Sequence, residues 1–537
     1  MTEDMSSELD LHDIQGNIIK AYPRYGLPKA RFLFFGINSA EAGGKFVGDI
    51  LPMITTSAPW AARAASQGRS PAPTVTTNIA FTFQGLRRLG LPQASLQSFP
   101  EEFAMGMRAR RAILGDDDAS APDRWDPIWT RDEPVHAFVA INGSTSDRVE
   151  QRYREIVALA DKSGGGVVLL AGHRGDAGTR SEDLRYQDAS AIYVDGEPTA
   201  KEHFGYTDGI SNPYFKGAVT DASNVVGGGK VTGRAVETTA GWEPLETGEF
   251  LLGHKDEAFE YPHAPIPRPL ADNGTYVVYR KLHENVESFD NYLEHVGAEF
   301  PGGKEALAAK FSGRWRNGAP VTTFPTEPEA QEFATEWANA KRAIGKATTH
   351  AEREAAKRRF SALNRKFTAF DYRSDLQGYG CPAGAHTRRA HPRAGLEFGL
   401  AGAFKRPDSL SNRRRLIRRG LPYGDSQTQR RDDGNHGIIF MAICASIRRQ
   451  FEFVQQQWIN YGNDFRLAND RDPLLGNHGK TPNGAPDGRM LIESPPSEST
   501  PPFFCSKLPR FVEVRGGDYF FIPSLTALRL IADGVVD

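Results

Sequence analysis

The sequence predicts an α+β protein in which one strand–helix alternation is used twice. Three observations carry this. Aromatic and β-branched runs of strand length alternate with stretches of helix length through the N-terminal part of the chain. The same alternation, though not the same sequence, returns after a long interval rich in Gly, Thr, Asn and Asp. The composition is that of an ordinary soluble globular chain: 537 residues, 39% hydrophobic and 25% charged, with a net charge of −2. Such a length leaves room for two or more domains and a core large enough to enclose a small molecule.

The elements follow in order. Residues 30–37, Ala-Arg-Phe-Leu-Phe-Phe-Gly-Ile, suit a strand. A helix is expected over 38–53, opened by the capping sequence Asn38-Ser-Ala-Glu41. Further strands are expected at 74–83, 135–142 and 166–171. A helix-like region starts at Gln84, and a helix over 146–162 carries Val149, Tyr153, Ile156, Val157 and Leu159 as its apolar positions. The order is β-α-β-α-β-α-β, or β-α-β-β-α-β with extra helix, and the second form is a ferredoxin-like unit. Tyr206 to Trp242 reads as irregular loop. Strands are then expected at 249–253 and 275–282, a helix at 285–295, and strands at 437–443 and 518–522 with a helix near 446–458 between them.

Two insertions interrupt this second unit. Residues 327–367, rich in Ala, Glu, Lys and Arg, read as one or two exposed helices. Residues 472–502, with Pro-Pro, Asn-Gly and Asp-Gly pairs, read as a long loop. The chain divides on this reading into an N-terminal unit, 1–225, and a C-terminal unit, 226–537.

Composition also excludes several classes. The near-neutral charge offers no field for nucleic acid or anionic lipid. No apolar run approaches the roughly 20 residues of a membrane span. The acidic opening, Met1 to Asp10, lacks a basic region and apolar stretch, so a cytoplasmic location is expected. Three distant cysteines, Cys381, Cys444 and Cys505, argue against a disulfide framework, a zinc ribbon or a cysteine-held iron–sulfur cluster.

Chemistry concentrates in three segments. In Phe204-Gly-Tyr-Thr-Asp-Gly-Ile-Ser-Asn-Pro213, Asp208-Gly209 and Asn212-Pro213 are turn signals, and Asp208 taken alone reads first as a surface-turn aspartate capping its own backbone. Gly380-Cys-Pro-Ala-Gly-Ala-His-Thr-Arg-Arg-Ala-His-Pro-Arg393 sets His386 among small residues and close to arginines. Small neighbours let a flat cofactor approach, imidazole nitrogen is a good axial ligand for haem iron, and guanidinium forks suit haem carboxylates. A hydrogen-bonded loop histidine is the plainer alternative. Arg413-Arg-Arg-Leu-Ile-Arg-Arg-Gly-Leu-Pro-Tyr-Gly424 reads as a solvated basic helix end stopped by Gly420 and Pro422.

Taken in order, the three are specific. Gly205-x-x-Asp208-Gly209, then Cys381-Pro-x-x-Ala-His386-x-Arg388, then Arg418-x-x-Leu-Pro-Tyr-Gly424 resembles the dye-decolorizing (DyP-type) haem peroxidases, in size closest to their larger cytoplasmic bacterial subgroup. Asp13-Ile-Gln-Gly-Asn-Ile18, Gln450-Phe-Glu-Phe-Val454 and Gly517-Asp-Tyr-Phe-Phe-Ile-Pro-Ser524 are similar to that family as well.

The resemblance implies two ferredoxin-like units with antiparallel sheets, of the dimeric α+β barrel type, with one haem b held in the second. It implies His386 as the proximal iron ligand, Asp208 and Arg418 on the distal face, and Arg393 as a partner for a haem propionate. Arg280 is a weaker propionate candidate, with an exposed strand residue as the alternative. Glu452 is expected to hydrogen-bond the far nitrogen of His386, unless it is a solvated helix residue. Ile438 and Phe440, two apart on a strand, face one side and form an apolar distal wall or core.

The implied activity is peroxide-dependent one-electron oxidation of aromatic donors (dyes, phenols, lignin-like compounds) through Compound I. The donor can be oxidised at a surface Trp or Tyr, but the seven Trp and 16 Tyr do not name one. A haem-handling protein without turnover is the alternative. Manganese use and homo-oligomerisation are left open.

Overall fold

Nine residues of aromatic and β-branched character, Lys29–Ile37, form strand β1, buried from its second residue onward. Ser39 caps the following helix, α1 (Ala40–Ile50), by accepting from the Ala42 N–H. The rest of the first unit is β2 (Val75–Phe81), β3 (Ala137–Gly143), helix α2 (Ser146–Asp161) and β4 (Val167–Leu169), with several short helices between β2 and β3. The strands pair antiparallel in the order β2-β3-β1-β4, and β5 (Gln187–Ser190) adds to β1. This is the ferredoxin-like form of the two alternations. The computed structural model describes residues 9–60, 73–175, 184–218, 225–397, 407–425, 430–497 and 500–536. The first eight residues of the acidic opening lie outside these.

The second unit repeats the order. Its strands are β6 (Thr275–Glu284), β7 (Ile417–Arg418), β8 (Leu421–Tyr423), β9 (Gly437–Cys444) and β10 (Val512–Ile522), and helix α3 (Val286–Gly297) follows β6. β7 and β8 pair with β9, β9 with β6, and β6 with β10, all antiparallel. One pair, Phe521 with Phe81, joins β10 to β2 and fuses the two units into one ten-stranded sheet. At the other end β5 lies against β8, so the sheet curls towards closure. A shared aromatic core crosses the junction: Phe34 packs edge-on to Tyr279 at 5.2 Å and Phe138 meets Phe520 at 5.2 Å.

Four expectations are corrected. Residues 249–253 are not a strand. Phe250 and Leu251 donate to the Thr247 carbonyl and Leu252 to that of Gly274, so this buried apolar run satisfies its backbone in turns. The basic run at 413–424 is not a solvated helix end: it contains the short strands β7 and β8, with Arg415 buried and Arg413, Arg414, Arg418 and Arg419 half-buried. The 327–367 insertion is a helical hairpin, α4 (Glu327–Lys346) and α5 (His350–Lys366), each opened by a Thr–Glu capping box. It is not simply exposed: Ala330, Phe333, Ala340, Leu363 and Phe367 pack into a cluster with Trp315, Tyr372, Cys381 and Ala385. The 472–502 insertion carries a strand, Gly488–Ile492, paired with Phe503–Leu508.

Candidate active site

The Cys381–Ala385 segment is held from two sides. The Asp375 carboxylate accepts the N–H groups of Gly380 (3.0 Å) and Cys381 (2.7 Å), and Arg388 donates to the Cys381 carbonyl at 2.6 Å. Gly313 packs directly beneath. It adopts φ +85°, and a Cβ there would lie 2.3 Å from Thr387 Oγ1, so this approach needs glycine. These contacts fix a short helix, His386–Ala390, whose first residue lines a deep cavity.

His386 Nδ1 lies 2.9 Å from Oδ2 of Asp472. Asp472 is fully buried, and its other oxygen accepts the N–H groups of Leu474 and Leu475 at 2.9 Å each. Burial opposes charge on the imidazole, but the Asp472 carboxylate outweighs it and holds the His386 pKa above its ordinary value. Burial likewise opposes the Asp472 carboxylate, yet His386 keeps its pKa below the ordinary value. With Nδ1 engaged in this way, Nε2 is the nitrogen left for the cavity.

The Gly205–Gly209 loop and strand β7 contribute a second group to the same cavity. Arg418 Nη1 is 3.0 Å from Asp208 Oδ1 and Nη2 is 2.8 Å from the Ile210 carbonyl. The Arg418 backbone N–H donates to Asn212 Oδ1 at 2.9 Å, which ties the strand to the loop. Asp208 keeps about half of its side chain accessible, at 51%.

A third group is cationic. Arg314, Arg393 and Arg415 are all buried. Arg314 donates to the carbonyls of Gly318 and Phe367 at 2.9 Å each. Arg393 donates to the carbonyls of Thr368 and Phe370 and to Ser211 Oγ, and Arg415 to those of Gly228 and Gly229. Among the described residues no carboxylate forms an ion pair with any of the three. Burial pushes the pKa of Arg314 and Arg415 down to about 10 and that of Arg393 to about 9. His391 sits in their field, its Nε2 unpartnered; burial first, then Arg415 and Arg393, push its pKa well below normal.

Ile438 and Phe440 alternate along β9 and both face the cavity, as their spacing predicts. Arg280 is buried rather than exposed. Its Nη2 is paired with Asp116, while Nε and Nη1 reach no partner although Arg280 lines the cavity. Glu452 is the exception among the predicted residues. It lies away from the cavity, clamped by Arg110 (2.8 and 2.6 Å) and by the Tyr519 hydroxyl at 3.0 Å. The helix that bears it has π winding over Ile447–Glu452 and Val454–Ile459, and the buried Arg110 fork claims both of its oxygens. The carboxylate on His386 is Asp472 instead, which the sequence analysis passed over; an Asp-Pro pair closing an Asx turn was the one local signal for it.

The cavity, which opens to solvent and spans about 1,940 Å³ with that open part counted, thus has a free imidazole nitrogen, buried guanidinium groups without an ion-pair partner, and an apolar strand wall. That donor set suits a flat, doubly anionic, iron-carrying group such as haem.

Comparison with known proteins agrees with this geometry. Residues 13–174 match the family model described as the DyP dimeric alpha+beta barrel domain. Peroxidase 2 of Mycetinis scorodonius is 27% identical over 97% of this chain and 87% of its own length. Multifunctional dye peroxidase DyP2 of an Amycolatopsis species is 25% identical over 97% of this chain and 95% of its own. An ancestral D-type dye decolorizing peroxidase superposes with a TM-score of 0.68 at 25% identity, covering 97% of this chain and 99% of that one. A variant of the Pleurotus ostreatus dye-decolorizing peroxidase shares the fold with a TM-score of 0.71 at 24% identity, over 98% and 99% of the two chains.

Fold, cavity and relatives together define a peroxidase built on the α+β barrel. Over nearly its whole length the chain is similar to dye-decolorizing (DyP-type) peroxidases, and residues 13–174 match their barrel domain. The relatives are largely fungal, Mycetinis and Auricularia among them, so the narrower expectation of the larger cytoplasmic bacterial subgroup is not upheld.

Proposed function

We propose that the cavity binds one haem b through His386 and uses hydrogen peroxide to oxidise aromatic donors one electron at a time. The observation that carries this is the gathering of His386–Asp472, Asp208–Arg418 and the anion-free arginines around one space. A peroxidase of this family has been captured with 2,6-dimethoxyphenol, which supports a phenolic donor here. Bound haem supplies an iron that takes both oxidising equivalents of peroxide and releases them singly.

The chain's own residues do the rest. His386 offers Nε2 to the iron while Asp472 orients the ring and makes the imidazole a stronger donor. Arg393, with Arg314 and Arg415 beside it, neutralises the carboxylates of the haem. Arg280 offers its two unpartnered nitrogens, Nε and Nη1, to the same purpose or to an ordered water. Ile438 and Phe440 exclude water from one face. Asp208 accepts a proton from peroxide at its carboxylate and returns it to the departing oxygen. Arg418 holds Asp208 in place and stabilises negative charge as the O–O bond breaks.

On this reading the half 226–537 holds the haem and the half 1–225 closes the cavity and supplies Asp208. Among the described residues no helix is long and apolar enough to cross a membrane; residence in the cytoplasm is part of the proposal, checked by cell fractionation.

The experiment is stopped-flow reaction of the haem-loaded protein with peroxide for Arg418→Leu and Asp208→Asn. Each is expected to lose about 100- to 1,000-fold in rate. Wild-type rates in both folded variants would overturn the assignment.

A further inference from the structure

Two buried carboxyl groups in the cavity wall have no part in the steps above. Glu202 lies six residues before Asp208 in the same loop, and Glu284 closes strand β6. Both line the cavity and both are buried. Glu202 Oε2 accepts the Phe204 N–H at 2.8 Å and Oε1 the Tyr206 N–H at 2.6 Å. Glu284 Oε2 accepts the His203 N–H at 3.2 Å. The His203 and Phe204 N–H groups that the two carboxyls accept are consecutive, which sets Glu284 beside Glu202. Among the described residues neither carboxyl forms an ion pair: the adjacent Lys201 acts on Glu202, but its Nζ donates to the carbonyls of Gly205 at 2.7 Å and Arg316 at 3.2 Å. Two carboxylates buried side by side with no ion pair cannot both stay ionised, so a proton resides between them.

We propose that Glu202 and Glu284 form a proton-sharing pair that stores a proton beside Asp208 and feeds it to the peroxide chemistry. This rests on the function proposed above. The overall reduction is H2O2 plus two electrons and two protons giving two waters. Where aromatic donors give up electrons at a distance, the protons they release go to the solvent around them, and the cavity must draw its two protons from the protein. In each transfer an O–H bond on Glu284 breaks as one forms on Glu202. Glu202 then protonates the Asp208 carboxylate, which protonates the reacting oxygen, and the pair refills from solvent.

The surroundings favour a held proton. Burial raises the pKa of both groups, Glu202 to about 7 and Glu284 well above the ordinary carboxyl value, and the negative charge of Asp208 acts in the same direction on each. The charged and titratable groups facing the pair begin with Lys201, whose Nζ is held by two carbonyls. Asp208 is paired with Arg418. Tyr423, on β8, presents an unpartnered hydroxyl. Tyr206, in the pair's own loop, lies beneath Arg316, whose guanidinium is committed to Glu305. His203 has its Nε2 on the Tyr423 carbonyl and stacks towards His436, and burial lowers the pKa of both histidines. His436 in turn packs against His283.

Glu284→Gln separates a proton store from a structural strut. The amide keeps an acceptor for the His203 N–H and a donor for Glu202, but it has no exchangeable acid proton to pass on. The first readout is infrared spectroscopy of the cofactor-free protein, which needs no turnover. Wild type is expected to show a buried carboxylic-acid band at neutral pH, and Glu284→Gln or Glu202→Gln to lose it. The second is kinetic, on the haem-loaded enzyme. Glu284→Gln is expected to slow the donor-driven return to the resting state by about 100-fold, the low end of a general acid's contribution. The peroxide step should slow less, and the pH profile of the return step should shift, with Glu284→Asp restoring part of it. Absence of the acid band in wild type overturns the proposal, as does a folded Glu284→Gln with an unchanged return rate and pH profile. Failure of the function itself is told apart, because wild type would then not react with peroxide while still showing the acid band.

Discussion

The two ferredoxin-like units share a strand order and use their sheets for opposite ends. In the first, β1 is buried from Ala30 to Ile37 and its aromatic side chains interlock with those of β3 and β10. In the second, β9 leaves Ile438 and Phe440 only partly covered, and β6 places Arg280 among apolar neighbours. The difference lies in the connections. The long stretch between Gly297 and Ile417 stands away from the sheet and carries Arg314, the helical hairpin, His386, Arg393 and Arg415. One topology therefore yields a core in the first unit, and in the second a pocket to which the stretch between Gly297 and Ile417 supplies most of the donors. The shared fold provides a wall, and the chemistry is grafted on.

The comparison breaks most readily at the aromatic residues. Phe34→Ala in the shared core is expected to cost about 3–5 kcal/mol, whereas Phe440→Ala on the cavity wall should cost no more than about 1 kcal/mol, because water or a cofactor already borders it. Denaturant unfolding measures both. Equal losses would mean that β9 faces a core and not a pocket. The next largest effect is on the arching segment. Asp472→Asn leaves the sheet intact but weakens the hold on His386, and haem affinity is expected to fall about 10- to 100-fold by equilibrium titration. An unchanged affinity would return Asp472 to a purely local role in its turn.

The pocket also leaves a mark on stability against pH that the first unit does not. Glu202 titrates near about 7 when folded, against about 4.3 when unfolded. The folded chain binds the extra proton between those values, so this group's contribution falls as pH rises through the interval and levels off above it. Unfolding of Glu202→Gln compared with wild type from about pH 4 to about pH 8 should show wild type losing stability relative to the variant as pH rises. A constant difference would contradict the burial of the pair. The smallest effect expected is at the far end of the hairpin. Thr349→Ala removes the cap of α5 and should cost about 1 kcal/mol while leaving haem affinity unchanged.

Much of the fold was legible because strands write themselves at period two and helices carry their caps. Lys29–Ile37 and Ser146–Asp161 lie within a residue of where the sequence puts them. β10 begins six residues earlier than expected, with Gly516 and Gly517 inside it. Gly516 lies under the Trp129 ring, where a Cβ would come within 1.9 Å, so the glycine admits the ring and does not end the strand.

The basic run was misread for a general reason. Composition cannot distinguish solvated arginines from buried ones satisfied by carbonyls, and here Arg414, Arg415 and Arg419 donate to the backbone of Arg449, of Gly228 and Gly229, and of Asn17 and Ile18. At the site, His386, Asp208, Arg418 and Arg393 were visible through short motifs. Asp472, which lies 86 residues from its histidine, was not, since only folding brings the two together.

On the proposed reading one cavity holds haem on His386 and exposes it to peroxide beside Asp208 and Arg418. This is tested most directly by the absorption spectrum of the haem-loaded protein before and after one equivalent of peroxide, for wild type and His386→Ala. Wild type is expected to show an intense haem band that shifts on peroxide addition and recovers when a phenolic donor follows, while His386→Ala stays folded and loses most of the band. Full haem with an unchanged spectrum in His386→Ala, or a wild-type spectrum indifferent to peroxide, would contradict it.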